Sequence, residues 1–248
     1  NKSALAFLLL FNCNANSFSQ TLRYSLSMPY ISLGAYSTEQ SDPFAFTTNQ
    51  AALAQMKSIS TGVFGEMRFM LQENSVYGLA ATLPTKLGNF GLQLNYAGYE
   101  VFNESEIGIA YARKLGKFLD LGIQFNYYGY NVRQYTSAST VNFEIGAILH
   151  FSEKFNGGIH AYNPVGGMMG GSKKEKLASA YKLGFGYDAS DNFYVSAEII
   201  KEEDLPVNVI AGVQYHFLKQ FYARAGFISA TGSGFAGFGV GWKNMRLD

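Results

Sequence analysis

Charge is scarce in this sequence. Asp, Glu, Lys and Arg make up 15% of its 248 residues, against about 25% in an average soluble domain. A surface with so few charges holds water poorly. The charges nearly cancel, to a net +1, so nothing draws the chain to nucleic acid or to an acidic surface. Cysteine is almost missing. Cys13 stands alone, which excludes a disulfide framework, and the preceding "LFN" lacks the small residues that lipoprotein cleavage prefers. No apolar run approaches the roughly 18 residues of a membrane helix. Low charge without a spanning helix leaves two classes: a very apolar β-protein in water, or a β-barrel in lipid.

Signatures of catalysis are also missing. His150, His160 and His216 are scattered, with no metal-ligand spacing, and no Gly-x-Ser-x-Gly elbow precedes a helix. "GGMMGGSKK" (166–174) lacks the Gly-Lys-Ser/Thr order of a phosphate loop and reads as a flexible connection. Its Met168–Met169 pair is placed to cover the lumen mouth or touch a partner. His150 and His216 each precede a Phe beside a short turn, which reads as a polar residue at the membrane interface. These absences point to a non-enzymatic chain that needs no cofactor.

What is present is alternation. In "FLDLGIQFNYYGYNV" (118–132), Leu119, Leu121, Ile123, Phe125 and Tyr127 alternate with Asp120, Gly122, Gln124 and Asn126. A strand with this period has one greasy and one wet face. The pattern recurs along 58–68, 75–84, 89–99, 105–114, 118–132, 139–151, 155–162, 178–188, 193–201, 206–217, 221–229 and 235–242. The wet face collects Gln93, Asn95, Asp120, Gln124, Asn126, Asn142, Glu144, Lys182, Asn208 and Arg224, expected to line a lumen. The greasy face collects Leu94, Ile123, Phe125, Phe143, Phe185 and Val209, expected to meet lipid. Glu104, Glu106, Glu144, Glu198 and Asp120 are expected to solvate the lumen and pair with Lys182 and Arg224. "GFGVGW" (237–242), with Gly on alternate positions, reads as a strand packed closely against something inside.

The connections sort by parity. "TKLGNF" (85–90), "RKLGKF" (113–118), "FSEKF" (151–155), "DASDNF" (188–193), "FLKQF" (217–221) and "WKNM" (242–245) are short, and most end in an aromatic. Between them lie longer stretches at 99–106, 130–140, 163–179 and 201–207. Short turns on one rim, longer loops on the other and aromatics near strand ends are the pattern of an outer-membrane barrel. The fold expected is therefore an all-β antiparallel transmembrane barrel in the bacterial outer membrane, contacting its lipid.

Three segments follow. Residues 1–19 have the shape of a secretory signal. Residues 20–57 lack alternation and form a hatch or plug, because "MPYISLGAY" and "PFAF" are too apolar for a free tail. Within them "NQAALAQM" reads as a turn or two of helix with Asn49 as N-cap. Residues 58–248 form the barrel. The chain carries about 12 strands, with "MRLD" opening another, and a barrel returning to the short-turn rim needs about 14. The chain is therefore expected to be a fragment with a seam between 58–68 and 235–248, since it starts without Met and ends on no terminal aromatic.

The order of signal peptide, "LGAYS" (33–37), the "NQAALA" segment (Asn49, Gln50, Ala51, Ala52, Leu53 and Ala54) and Gly- and Tyr-rich strands resembles the Bacteroidota outer-membrane barrels of the PorV/PorQ family, similar to the FadL type. That resemblance implies about 14 strands and membership of a larger outer-membrane assembly in type IX protein secretion. It equally implies an alternative, a FadL-like channel for uptake of hydrophobic small molecules. A barrel enzyme is the third reading. Gln50 stands where that family usually has Pro, and the short loops argue against an external ligand-capture groove.

Overall fold

The computed structural model describes residues 29–39, 41–169, 175–218, 220–243 and 245–248. The signal expected at 1–19, and residues 20–28 of the hatch, lie outside that set. Thirteen strands form one antiparallel sheet in chain order: β1 Ser60–Met67, β2 Ser75–Thr85, β3 Gly88–Gly98, β4 Phe102–Leu115, β5 Leu119–Val132, β6 Thr136–His150, β7 Phe155–Tyr162, β10 Ala180–Ser190, β11 Phe193–Glu202, β12 Asn208–Phe217, β13 Phe221–Ile228, β14 Ser233–Trp242 and β15 Met245–Leu247. The remaining pair, β8 Met168–Met169 and β9 Glu175–Lys176, forms a small hairpin of its own. β4 and β6 begin earlier than the alternation suggested. The connections after β3 and β5 therefore shrink to 99–101 and 133–135, and the 163–179 segment is the one long excursion on that rim.

Register turns the alternation into layers. Across β4, β5 and β6 the outward rows are Ile107–Tyr127–Val141, Ile109–Phe125–Phe143, Tyr111–Ile123–Ile145 and, near the short turns, Leu115–Leu119–Leu149. Above Ile107 the rows change to Ser105–Gly129–Ser139 and Asn103–Asn131–Ser137. From Val141 to Leu149 a strand advances about 27 Å, or about 20 Å of height at a usual barrel tilt, close to the roughly 25 Å apolar band of such barrels. Aromatic pairs mark the short-turn rim: Phe151–Phe155 and Phe217–Phe221, each with centroids 5.5 Å apart, and Phe193–Tyr215 at 6.2 Å. The outside is a lipid belt.

The inside is filled by the chain's own N-terminal segment. Residues 30–56 bury Tyr36, Phe46 and Leu53 in a cluster with Ala80, Ala110, Ala112 and Ile148 of the wall. "NQAALAQ" is a 3-10 turn, Gln50–Gln55, rather than an α-helix, with Asn49 Oδ1 accepting from Ala51 N at 3.0 Å. Its tight winding suits a segment pressed against a sheet. Inward glycines make the space. A Cβ on Gly146 would strike the Asn49 side chain, one on Gly122 the Gln50 carbonyl, and one on Gly184 the Tyr36 ring at 2.5 Å. Wall side chains then satisfy the hatch backbone: Asn89 Nδ2 donates to Leu53 O at 2.7 Å and Met56 O at 2.9 Å, and Asn156 Nδ2 to Tyr36 O at 2.8 Å.

Among the described residues no ladder joins β1 to β14 or β15. The hatch crosses that seam from within. Asp42 lies 3.9 Å from Arg246 of β15, while the next residues, Pro43 and Phe44, lie over Gly62 of β1. The glycines of 237–242, expected to pack closely against something inside, do so at two of their three positions. Gly237 faces open space, Gly239 the Asp248 side chain and Gly241 the Tyr222 ring.

Two outcomes test this arrangement. Phe125 is 55% exposed in the middle of the belt, and an outward Arg near the midplane costs about 2–4 kcal/mol. Phe125→Arg is expected to cut the yield of heat-modifiable barrel in the membrane fraction, with Phe125→Leu close to wild type; equal yields would refute the belt. Gly146→Val forces a side chain into Asn49, an overpacking cost of about 1–3 kcal/mol. Limited proteolysis is expected to cleave the variant within 29–56 while the barrel stays whole. Unchanged protection of that segment would show that the glycine does not seat the hatch.

Candidate functional site: the filled lumen

Between the rims lies a layer of buried amides and acids. Register sets Asn95 opposite Glu106, Gln124 opposite Glu144, and Asn126 opposite Asn142. These side chains therefore meet at bonding range on the inner face. Glu144 is the hub. It accepts from Asn126 Nδ2 at 2.6 Å, Gln50 Nε2 of the hatch at 2.7 Å, His160 Nε2 at 2.8 Å and Gln124 Nε2 at 3.4 Å. A carboxylate only accepts, so the His160 proton is assigned to Nε2. Glu106 accepts from Asn95 Nδ2 at 3.0 Å and Gln93 Nε2 at 3.4 Å. Asn126 Nδ2 also donates to Asn142 Oδ1 at 2.9 Å, and Asn142 Nδ2 to Tyr162 Oη at 3.1 Å. Buried charge is costly unless hydrogen-bonded, and here amides supply the bonds.

Toward the short-turn rim a second polar cluster clasps the end of the hatch. Gln55 Nε2 bonds Asp120 and lies 3.1 Å from His150 Nε2, while Lys114 Nζ donates to Gln55 Oε1 at 2.9 Å. His150 also sits 2.9 Å from Asp120 and 2.7 Å from Asn156 Oδ1. Tyr36 reaches a third acid, donating its hydroxyl to Glu198 Oε1 at 2.7 Å. Burial first, then the Glu198 charge, holds the Tyr36 phenol well above its ordinary pKa, so it remains a donor. Toward the long-loop rim the lumen turns mostly apolar, with Glu104 buried there across from Ala97 and Tyr130. Val76, Ala97, Tyr128 and Tyr162 of the wall close around Met169 and Leu177 of the 163–179 excursion.

Gln93, Asn95, Asp120, Gln124, Asn126, Asn142, Glu144 and Arg224 are all buried on the inner side. Lys182 and Asn208 are half-buried. Asn208 Oδ1 accepts from Ala230 N at 3.0 Å and Ser229 Oγ at 3.2 Å, so it braces a rim turn. The expected pairing of Arg224 with the lumen acids does not occur. Register sets it across from Gln214 on β12, away from β4 and β6, where it bonds Gln214 and Asp248, each at 2.5 Å. His150 is not an interface residue either, because strand parity turns it inward to the Gln55 cluster. His216 packs edge-on to Tyr222, with ring centroids 4.1 Å apart. Of the hatch motif, Asn49 caps the turn and donates Nδ2 to Ile159 O at 3.1 Å, Gln50 binds Glu144, and Ala51, Ala52 and Leu53 fill the wall cluster. Sequence reading missed Tyr36, Gln55, Asn89, Tyr128 and Tyr162 as site residues. Asn156, His160 and Tyr162 share one parity in "FNGGIHAY", a signal available in the pattern. Among the described residues no group of His, Cys, Asp and Glu has the makings of a metal site.

Protein-family models and curated proteins give no match to the sequence. Solved structures do. The "CymD monoaromatic hydrocarbon channel" superposes with a TM-score of 0.63 at 11% identity, over 89% of this chain and 90% of that one. The Ralstonia pickettii toluene transporter TbuX superposes with a TM-score of 0.56 at 12% identity, over 80% and 84%. At these identities the likeness concerns the fold, which is that of outer-membrane β-barrels. The chain is an outer-membrane β-barrel with its own N-terminal segment packed inside.

Proposed function

We propose that this barrel is a non-enzymatic outer-membrane channel for small hydrophobic molecules. The observation that carries the reading is a lumen filled by the chain's own non-strand segments, held by hydrogen bonds and apolar packing. A hatch joined to the wall through its run into β1 and otherwise held by non-covalent contacts lies on one side of the amide layer, and a mostly apolar, tyrosine-lined mouth lies on the other. The likeness to two barrels described as a monoaromatic hydrocarbon channel and a toluene transporter supports it. A subunit of type IX secretion, the other use implied by the PorV/PorQ resemblance, gains no support from either neighbour.

The chemistry of passage follows from the layers. An apolar solute partitions readily among Val76, Ala97 and the tyrosine rings, where little water must be displaced from polar groups. It then meets the amide layer, where its presence would leave hydrogen-bonding groups unmet. Passage therefore requires the hatch to withdraw, and the Gln50–Glu144 bond is the tie between the hatch and that layer. A bond to a charged group contributes about 1.5–3 kcal/mol, weak enough to break transiently.

Toluene uptake by Gram-negative cells that lack other hydrocarbon channels tests this. Cells carrying the chain are expected to take up dilute toluene faster than vector controls, with no gain for a charged sugar. Gln50→Ala removes the hatch tie but leaves Glu144 its donors Gln124, Asn126 and His160, and is expected to speed uptake further, by about tenfold if the bond limits opening. Folded barrel in the outer membrane with no gain in toluene uptake would refute the channel.

A further inference from the structure

The mouth cluster contains a substitution of parts. Its walls come from the barrel: Val76 of β2, Ala97 of β3, Tyr128 of β5 and Tyr162 of β7. Its contents do not. Met169 and Leu177 belong to the β8–β9 excursion, whose two strands pair with each other and not with the barrel sheet. Met169 is 2% exposed and Leu177 fully buried, whereas Met168 next door is 59% exposed. The excursion is held mainly by its own hydrogen bonds, and Asn163 is the knot. Its Nδ2 donates to Leu177 O at 2.6 Å, its Oδ1 accepts from Gly167 N at 3.0 Å, and its carbonyl accepts from Ser179 Oγ at 2.7 Å. Asn163 itself sits at φ 46, in the left-handed region. Two bonds reach the neighbouring strand β6, from Thr140 Oγ1 to Met168 O at 3.2 Å and from Asn163 N to Phe143 O at 3.0 Å.

Two side chains thus lie in a wall-lined recess as a bound molecule would. Tyr162 presents its ring to them while its hydroxyl accepts from Asn142 of the amide layer. The recess has mainly apolar and aromatic sides and a polar floor, with a buried carboxyl, Glu104, set by register beside Ala97 and Tyr130. A mostly apolar lining with a few polar groups is the form of a small-molecule site. A Met and a Leu side chain together amount to about eight heavy atoms, the size of a monocyclic hydrocarbon with a short alkyl group. Methionine is also suited to a temporary place against aromatic rings, being unbranched and polarizable.

We propose that Met169 and Leu177 are internal stand-ins for the ligand: they occupy a binding site for a compact, uncharged, ring-sized hydrocarbon, which enters by displacing them. This rests on the channel reading and assigns its outer binding site. A solute competing with its own stand-ins binds with an affinity reduced by the fraction of time the recess is vacated.

The test uses the full wild-type chain in lipid nanodiscs, with fluorobenzene as probe, peroxide oxidation of methionine as readout and 19F NMR for affinity. Fluorobenzene is expected to speed oxidation of Met169 several-fold while leaving Met168 unchanged. Asn163→Ala loosens the knot without hollowing the recess, and is expected to bind fluorobenzene about tenfold more tightly. Fluorobenzene that binds wild type while Met169 stays protected, or an Asn163→Ala affinity that is unchanged or weaker, would make these residues ordinary wall and overturn the proposal alone. No binding by folded wild type or variant would remove the channel reading as well. The oxidation result needs no variant, so it stands if Asn163→Ala fails to assemble.

Discussion

Everything in this structure depends on the antiparallel register. In a membrane each backbone donor and acceptor must be paired within the sheet, so the strands have no freedom to splay or slip. A slip of one residue would turn every side chain to the opposite face. Phe125 and Phe143 would then enter the lumen, and Gln124 and Glu144 would face acyl chains. The same register that assembles the lipid belt therefore assembles the amide layer, and the two cannot be altered independently.

The inner face then carries two contrary demands. Near the short turns it must admit a second polypeptide segment, so Gly122, Gly146 and Gly184 give up their side chains to Gln50, Asn49 and Tyr36. Further along it must hold acids away from water, so amides surround Glu106 and Glu144. Gln50 joins the two regions, because one residue on from Asn49 the hatch reaches the hub of the layer. The hatch is neither a loose tail nor an extension of the sheet. It is a separate filler, held by hydrogen bonds to side chains and by a modest apolar cluster.

Much of the fold was legible because period-two alternation is a local signal, and strand positions followed it to within a few residues. The starts of β4 and β6 were missed because Asn103, Ser137 and Ser139 look like loop residues; they are outward positions above the lipid belt, where polarity is allowed. The partners inside the lumen were not legible. Lys182 and Arg224 were natural mates for the acids by charge, but neighbours across a barrel are set by register and strand order. Amides took the place that cations were expected to fill. The Met168–Met169 pair reads as a cover for the mouth, and Met169 is the member that turns in; Leu177 was hidden, since nothing in its surroundings in the sequence says that its side chain does the same.

The central claim is that the Gln55 cluster, the hatch, the amide layer and the mouth cluster together obstruct the lumen. Electrical recording from the purified full chain in a planar bilayer tests that directly. The wild-type barrel is predicted to insert without raising the steady ion conductance above the bare-membrane baseline. A stable ohmic pore from correctly folded wild type would contradict the account, because it would mean that water and ions run where these side chains are packed.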